Sequence, residues 1–328
     1  MNTKRDRKSA IKKLKNLVYS TKQDLNTFRD NIEKTFFTPI IQNNVEWTEQ
    51  KHVNIPCDVL MPNVYSTEKI MIYIHGGSFV AGSRKAYRSF CASIAQETSC
   101  RVVVPEFRLP PTYTFPKGLE DLQLVFRSVF TEEQVARSLD NVKKNTESLP
   151  EIIIAADTSG ASLAIALVLS LREKYRECIS QVILFSPWLN FTKDSYIFSQ
   201  KKIKDEILCA DVLRRCVDLY TYETNIVNPL VSSVLASKEQ LKGFPPVFIQ
   251  MGEKEILVED AKLFMHNLKA SGVECYLDLW QDMLYMFQMA DEHLEEAHLA
   301  IKKIGKLITS KEEIIKKNNS SVQEKNTL

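Results

Sequence analysis

A glycine pair behind a short apolar run is the first feature of this sequence that could serve chemistry. Residues 69–74 (KIMIYI) have the composition of a β-strand, and the run passes directly into His75-Gly76-Gly77. Glycine has no side chain, so a strand that ends in two glycines indicates a place where the backbone comes close to another group.

The cysteines predict neither a metal site nor a disulfide framework. Seven cysteines are scattered without a CxxC pair, and their number is odd. The sequence also contains no P-loop and no dinucleotide-binding fingerprint. We therefore expect no metal and no cofactor, and we expect reduced thiols in a cytosolic setting.

Composition and charge are those of an ordinary globular protein. The 328 residues are 44% hydrophobic and 26% charged, which is enough apolar material for one sizeable α/β domain. The formal net charge of +2 gives no reason to expect a nucleic-acid partner.

The first sixteen residues are strongly basic. A solvated helix face is the more frequent meaning of such a run, and weak contact with an anionic membrane surface is the alternative. No apolar run approaches the roughly 20 residues that span a bilayer, and the N-terminus lacks the apolar stretch of a secretory signal. We expect a cytoplasmic protein that is not secreted and has no transmembrane segment, with peripheral membrane contact left open.

Hydrophobic spacing predicts a chain of alternating strands and helices. An amphipathic helical region extends from about Ala10 to Phe36 with a break near Ser20, and a β-like run follows from Lys51 to Leu60. The later strands and helices alternate, which predicts βαβ units and a parallel sheet. The predicted strands are 101–105, 151–155, 181–185, 247–251 and 274–279, and the predicted helices are 119–130, 159–175, 259–270 and 291–308.

These elements define the predicted domain organisation. Residues 1–45 form a basic amphipathic helical extension, and residues 46–308 form the α/β domain. A polar, helix-prone stretch at 193–222 interrupts the alternation and is interpreted as a cap-like insertion over the sheet. Residues 309–328 are predicted to be a disordered polar tail.

Four sequence blocks together resemble one known family. The stretch HGGSF at 75–79 looks like the HGGGF loop of hormone-sensitive-lipase-type esterases, and PEFRLPPTYTFP at 105–116 with LED at 119–121 is similar to that family's YRLAPE…FP…LED block. SPWLN at 186–190 resembles SPWLD, and GFPPVFIQMG at 243–252 resembles GLPP…G.

The match runs from about Lys69 to Ile308, and the closest branch is that of the fungal steryl acetyl hydrolases. The resemblance implies an α/β-hydrolase fold with a mostly parallel central sheet flanked by helices. It also implies that the backbone of Gly76 and Gly77 supplies the oxyanion donors of an acyl-transfer site.

The resemblance places the nucleophile at an altered position. The family's elbow reads GDSAGG, and the matching string here is ADTSGA at 156–161, so Thr158 occupies the nucleophile position. The extra methyl group of threonine crowds a strained turn. Ser159, one position along, is the alternative nucleophile, although we expect it to cap the following helix.

The acid and base positions follow from the same resemblance. Glu255 stands where the family has the aspartate of its DPL string, and a carboxylate there can still orient a base. Tyr285 stands where the family has its histidine. Tyrosine, with a pKa near 10, is a poor general base at neutral pH.

No other histidine is well placed to substitute for the missing base. His75 belongs to the oxyanion loop, and His52 precedes the core strands. His266 falls within a helix, and His293 and His298 fall in the predicted terminal helix.

Two hypotheses follow. The first is an esterase-family protein with lost or severely reduced hydrolase activity, which binds an apolar acyl or sterol-like ligand or a protein partner. The alternative is an active carboxylic-ester hydrolase on lipid or sterol esters that uses Thr158 or Ser159 with an unrecognised base.

Overall fold

An eight-stranded sheet forms the centre of the chain in the computed structural model, which describes residues 4–20, 22–38, 44–63, 69–144, 149–199 and 205–309. Its spatial order is β1-β2-β4-β3-β5-β6-β7-β8. The two pairings β1–β2 and β2–β4 are antiparallel, and the pairings from β4 to β8 are parallel. The strands are β1 (Val45–His52), β2 (Ile55–Pro62), β3 (Ile70–Ile74), β4 (Arg101–Pro105), β5 (Ile152–Asp157), β6 (Ile179–Phe185), β7 (Val247–Gly252) and β8 (Cys275–Trp280).

Helices connect and flank the strands, so the predicted α/β-hydrolase architecture with a mostly parallel sheet is confirmed. The helices are α1 (Lys4–Leu14), α2 (Leu25–Phe36), α3 (Arg84–Thr98), α4 (Lys117–Lys144), α5 (Thr158–Ser170), α6 (Glu173–Arg176), α7 (Tyr196–Ser199), α8 (Ala210–Tyr220), α9 (Lys238–Leu241), α10 (Val258–Ala270) and α11 (residues 295–309). Among the described residues, no helix is long and apolar enough to cross a membrane.

The central strands are buried along their whole length. Every residue of β3, β5 and β7 is buried, which is the pattern of parallel strands covered by helices on both faces. The right-handed crossover rule places α3, which leads back from β3 to β4, on the opposite face from α4, α5 and α10. Parallel strands end at the same edge, so the loops after β3, β5, β6, β7 and β8 can meet there.

The N-terminal extension packs on the same hydrophobic core as the sheet. Its predicted break is confirmed: α1 is followed by a short 3₁₀ turn, and α2 begins after Asp24, whose side chain accepts a hydrogen bond from the Thr27 N–H. Leu14, Phe28 and Ile32 are fully buried. The extension is therefore held by tertiary packing and covers one side of the sheet.

Some predicted boundaries were wrong. The run from 51 to 60 is part of a hairpin, in which Val53 and Asn54 both have positive φ and reverse the chain between β1 and β2. Helix α4 extends to Lys144, and the helix predicted at 159–175 ends at Ser170. The insertion at 193–222 contains α7 and α8 in its described part. The predicted tail lies outside the described residues except for Thr309, and the domain boundaries stay predictions.

A buried ion-pair cluster attaches the hairpin to α3. Asp58 of β2 is fully buried, and its carboxylate binds the guanidinium groups of Arg84 and Arg88, the latter at 2.6 Å. Glu49 of β1 also binds Arg84 but is half exposed. Trp47 stacks on the Arg88 guanidinium, 3.5 Å from the ring centroid.

Replacing Asp58 by asparagine should lower the free energy of unfolding by about 3 kcal/mol, because Arg88 loses its carboxylate partner and Arg84 keeps only the more exposed carboxylates of Glu49 and Glu106. Urea denaturation followed by circular dichroism measures this loss. Glu49→Gln is the matched control on the same arginine and should cost far less, since its carboxylate reaches solvent. Equal losses for the two variants would contradict this account.

Candidate active site

A sharp turn between β5 and α5 holds the predicted nucleophile position. The strand ends at Asp157 and the helix begins at the next residue, so Thr158 stands on the turn with a φ of 49°. Left-handed backbone is uncommon for a β-branched residue. A side chain at Gly160 would overlap the backbone oxygens of Ile74 and His75, so this glycine lets α5 approach the end of β3. The strand–turn–helix geometry of a nucleophile elbow is present, with threonine on it.

The glycine loop after β3 lies directly against the elbow. A side chain on Gly76 would overlap the Thr158 hydroxyl and the Asp157 carboxylate. The Gly76 N–H donates to Asp157 Oδ1 at 2.9 Å, so this amide is already bound and does not serve as the predicted oxyanion donor. Gly77 has a φ of 112°, and its N–H has no hydrogen-bond partner among the described residues. Of the two predicted donors, Gly77 alone keeps an available N–H.

Asp157 lies at the centre of this site, although it was not among the predicted site residues. It is fully buried, and burial raises the pKa of its carboxyl to about 6, while its hydrogen bonds limit that rise. The donors are the Tyr73 hydroxyl at 2.9 Å, the Gly76 N–H, the Tyr87 hydroxyl at 3.0 Å and the Thr158 hydroxyl at 3.1 Å. An acidic residue before the elbow was a visible signal, but its two tyrosine partners are far away in sequence.

Tyr285 occupies the predicted base position and is fully buried beside the elbow. The Trp188 indole N–H donates to its hydroxyl at 3.1 Å. Burial, followed by the nearby Asp157 carboxylate, raises the pKa of Tyr285 well above its ordinary value, and hydrogen bonding with Thr158 only partly offsets this. A tyrosine in these surroundings stays protonated and cannot take a proton from a nucleophile at neutral pH.

Glu255 occupies the predicted acid position with one satisfied and one unsatisfied oxygen. Its Oε1 accepts hydrogen bonds from the Ser186 hydroxyl at 2.9 Å and from the Gly252 N–H at 2.5 Å. Its Oε2 is buried and has no hydrogen-bond partner among the described residues. Burial, followed by the charge of Asp205, raises the pKa of Glu255 well above its ordinary value. The acid is thus held in place through Oε1, while no described residue binds Oε2.

None of the five histidines occupies the predicted base position. His75 is buried, stacks on Phe107 at 4.4 Å, and places Nδ1 2.9 Å from the Gly76 carbonyl oxygen; burial lowers its pKa to about 4. His52 ends β1 rather than preceding the sheet, and its Nδ1 lies 3.1 Å from both Ser128 and Glu132 on α4. His266 and His298 are exposed on helices α10 and α11, and His293 precedes α11.

The expected capping role of Ser159 was wrong. Asp157 occupies the N-cap position of α5, and Ser159 lies in the first helical turn. Its hydroxyl oxygen accepts a hydrogen bond from the Phe79 N–H at 2.9 Å. Ser159 therefore fastens the glycine loop to the helix, which leaves Thr158 as the hydroxyl that faces the other site residues.

Aromatic side chains cover the elbow. Phe79 stacks on Tyr220 of α8 with ring centroids 3.9 Å apart and meets Trp188 and Phe191 edge-on. Thr158 is only 2% exposed beneath this layer. Of these rings, Tyr220 belongs to the described part of the insertion, and the cap-like role of the insertion stays a prediction.

The N-terminal extension fastens the same cover from outside. The Ser78 hydroxyl donates to the Leu17 carbonyl at 3.1 Å and accepts from the Tyr19 N–H at 3.2 Å. The Arg215 guanidinium of α8 donates to the Tyr19 hydroxyl at 2.9 Å. The segment after α1 therefore bridges the glycine loop and the cap helix.

Strained backbone gathers around these residues. Such left-handed conformations cost about 1–3 kcal/mol each in non-glycine residues and typically mark functional sites. The residues with positive φ here are Ser78, Phe79, Thr158, Ser186 and Met286.

A family model described as "alpha/beta hydrolase fold" matches residues 71–289, which include the glycine loop, the elbow, Glu255 and Tyr285. The chain belongs to the α/β-hydrolase-fold family.

Relatives and solved structures agree with this membership. The chain is 29% identical to an esterase of Acinetobacter venetianus over 247 residues, covering 75% of this chain and 76% of that protein. It is 25% identical to an acetyl-hydrolase of Streptomyces hygroscopicus over 239 residues, covering 72% and 74%.

The crystal structure of an esterase from the bacterial hormone-sensitive lipase family superposes with a TM-score of 0.79 at 23% identity, covering 94% of this chain and 98% of that one. The superposition shows that this chain and that esterase share a fold.

The unsatisfied acid should be visible in the pH dependence of stability. A carboxyl whose pKa is raised on folding binds its proton more tightly in the folded state, so its contribution to stability is lost as pH rises above the unfolded value, 4.5 here. Because glutamine does not titrate, Glu255→Gln removes this pH-dependent loss of stability. The free energy of unfolding of the variant should therefore rise relative to wild type between pH 4.5 and 8, as measured by urea denaturation at several pH values. A pH-independent difference would contradict the assignment.

Proposed function

We propose that this chain is an esterase-family protein, similar to steryl acetyl hydrolases, in which hydrolysis is lost or severely reduced. Its role is to bind an apolar acyl or sterol-like ligand, or a protein partner, through the retained scaffold. The main support is the buried Glu255 Oε2, which has no hydrogen-bond partner in the described part of the chain and lies near a predicted base position filled by a tyrosine.

The acid explains why this observation supports lost chemistry. In a Ser-His-acid site the carboxylate accepts a hydrogen bond from the histidine and keeps it oriented. Here Ser186 and Gly252 still hold Glu255, but its free oxygen has nothing to orient. A buried carboxyl oxygen without a hydrogen-bond partner lowers the stability of a protein, and such oxygens are rare in native structures. An acid oxygen without a partner is what we expect if the histidine has been replaced and the acid has stayed.

An apolar ligand is supported by the cover of the site. The rings of Phe79, Trp188, Phe191 and Tyr220 would line any space that opens when α8 moves away from the glycine loop. Aromatic and aliphatic walls with a few polar groups suit acyl and sterol-like molecules. The relatives named esterase and acetyl-hydrolase point to the same ester class.

The alternative is an active carboxylic-ester hydrolase on lipid or sterol esters with Thr158 or Ser159 as nucleophile. The observation in its favour is the contact between the Thr158 hydroxyl and Asp157. Ser159 is the weaker candidate, because its hydroxyl already accepts the Phe79 N–H.

The deciding experiment is steady-state hydrolysis of a short-chain chromogenic ester by the purified chain. Wild type should show no turnover, since no side chain at the base position can accept the proton. The double variant Thr158→Ser/Tyr285→His should hydrolyse the ester at least about a hundredfold faster than the wild-type protein, because a positioned general base usually contributes that much. Adding Glu255→Gln to the double variant should remove most of that gain.

Wild-type turnover that disappears in Thr158→Ala would overturn the proposal and establish the alternative. A thermal-shift titration with a steryl acetate, carried out beside the assay, addresses the binding role. Stabilisation without turnover is expected for a binding protein, and no stabilisation would favour the protein-partner role.

We further propose a cytoplasmic location with weak contact between α1 and anionic membrane. Arg7 and Lys13 are engaged by Glu206 and Glu292, whereas Lys8 and Lys12 are exposed on the same helix. Cosedimentation with phosphatidylserine vesicles should exceed that with phosphatidylcholine, fall at high salt, and drop in Lys8→Glu/Lys12→Glu. Equal sedimentation with both lipids would reject this contact.

A further inference from the structure

The Thr158 hydroxyl and the Asp157 carboxylate form a pair, and loss of the histidine does not explain this contact. The two oxygens lie 3.1 Å apart, with the hydroxyl donating. This is within the reach required of a general base and its nucleophile. The carboxylate is fixed from the other sides by Tyr73, Tyr87 and the Gly76 N–H.

We propose that Asp157 is the general base for Thr158 and that the site accepts a single short acyl group from an activated ester. This inference rests on the proposed function, because it requires that turnover remain lost while the first half of the reaction survives. It adds a base that is not part of a Ser-His-acid arrangement.

The groups around Asp157 leave it as the ionised member of the cluster at neutral pH. Tyr73 of β3, Tyr87 and Cys91 of α3, and Tyr285 after β8 all face it, and burial raises the pKa of each well above its ordinary value. These four are therefore neutral. The pKa of Asp157, about 6, makes its base form dominant above that pH.

Acylation of Thr158 needs no reactant other than the activated ester. Thr158 Oγ1 bonds to the acyl carbon while its proton passes to Asp157 Oδ2. The bond between that carbon and a p-nitrophenolate leaving group breaks, and the leaving group departs as an anion. Asp157 then releases its proton to solvent. Gly76 lies against the hydroxyl, and the N–H of the next residue, Gly77, has no hydrogen-bond partner among the described residues, so it is the candidate donor for the developing oxyanion.

The same structure halts the reaction after acylation. Removing the acyl group requires a water molecule to attack the acyl carbon from the side where the leaving group departed, and in a working triad the histidine activates this water. Tyr285 fills that position as a protonated, buried phenol bonded to Trp188. The aromatic layer over Thr158 also restricts the acyl group to a short one.

The test is incubation of the full chain with p-nitrophenyl acetate, followed by intact mass spectrometry and peptide mapping. One acetyl group should be found on Thr158, and its rate of appearance should rise with pH through about 6 and then level off. Thr158→Val should lose this acetylation, and Asp157→Asn should slow it by at least about tenfold.

Tyr87→Phe keeps the inference testable if Asp157→Asn fails to fold. It removes one donor that lowers the pKa of Asp157, so the midpoint of the rate profile should move to higher pH. A Tyr175→Phe variant, remote from this cluster, should leave the midpoint unchanged.

Acetylation confined to lysines, or wild-type rates in Asp157→Asn, would overturn the inference and leave the proposed function standing. Turnover that survives in Asp157→Asn but not in Thr158→Val would overturn both. Turnover that needs both residues would overturn the proposed function and retain Asp157 as the base.

Discussion

The buried carboxylate of Asp157 is the interaction on which the geometry of the site depends. It joins the end of β5 to β3 through Tyr73, to α3 through Tyr87 and to the glycine loop through the Gly76 N–H. A buried carboxylate must be satisfied, so these donors cannot move independently of the strand. The elbow residue Thr158 is held by the same group. Changing this one carboxylate would therefore alter four segments at once.

The retained and altered positions of the triad obey different constraints. Glu255 is held by Ser186 and Gly252, groups that belong to the sheet edge, so it stays in place whether or not a base is present. Tyr285 depends on Trp188 and fills its position by size and apolar contact. The predicted acid position is therefore held independently of the predicted base position.

The sequence predicted the fold well because alternating strands and helices leave a periodic apolar pattern. The elbow, acid and base positions were predicted from the family resemblance, and each lies after the end of a strand. Asp157 was missed because its role depends on Tyr73 and Tyr87, which only the folded sheet brings together. The role of Ser159 was misjudged for a similar reason: its partner, the Phe79 N–H, lies on a loop eighty residues earlier. Local patterns predict elements, whereas side-chain partners depend on long-range packing.

The stack of Phe79 on Tyr220 has a consequence for the kinetics of any occupant. If α8 must withdraw its ring to admit a molecule to Thr158, the measured dissociation constant equals the intrinsic one divided by the fraction of time that the ring is withdrawn. The observed association rate then reaches a plateau at the opening rate of the cap, however much ligand is added. In that case the hydrogen bonds of Tyr19 to Ser78 and Arg215 would help to set this plateau, although the segment around Tyr19 has no part in the chemistry.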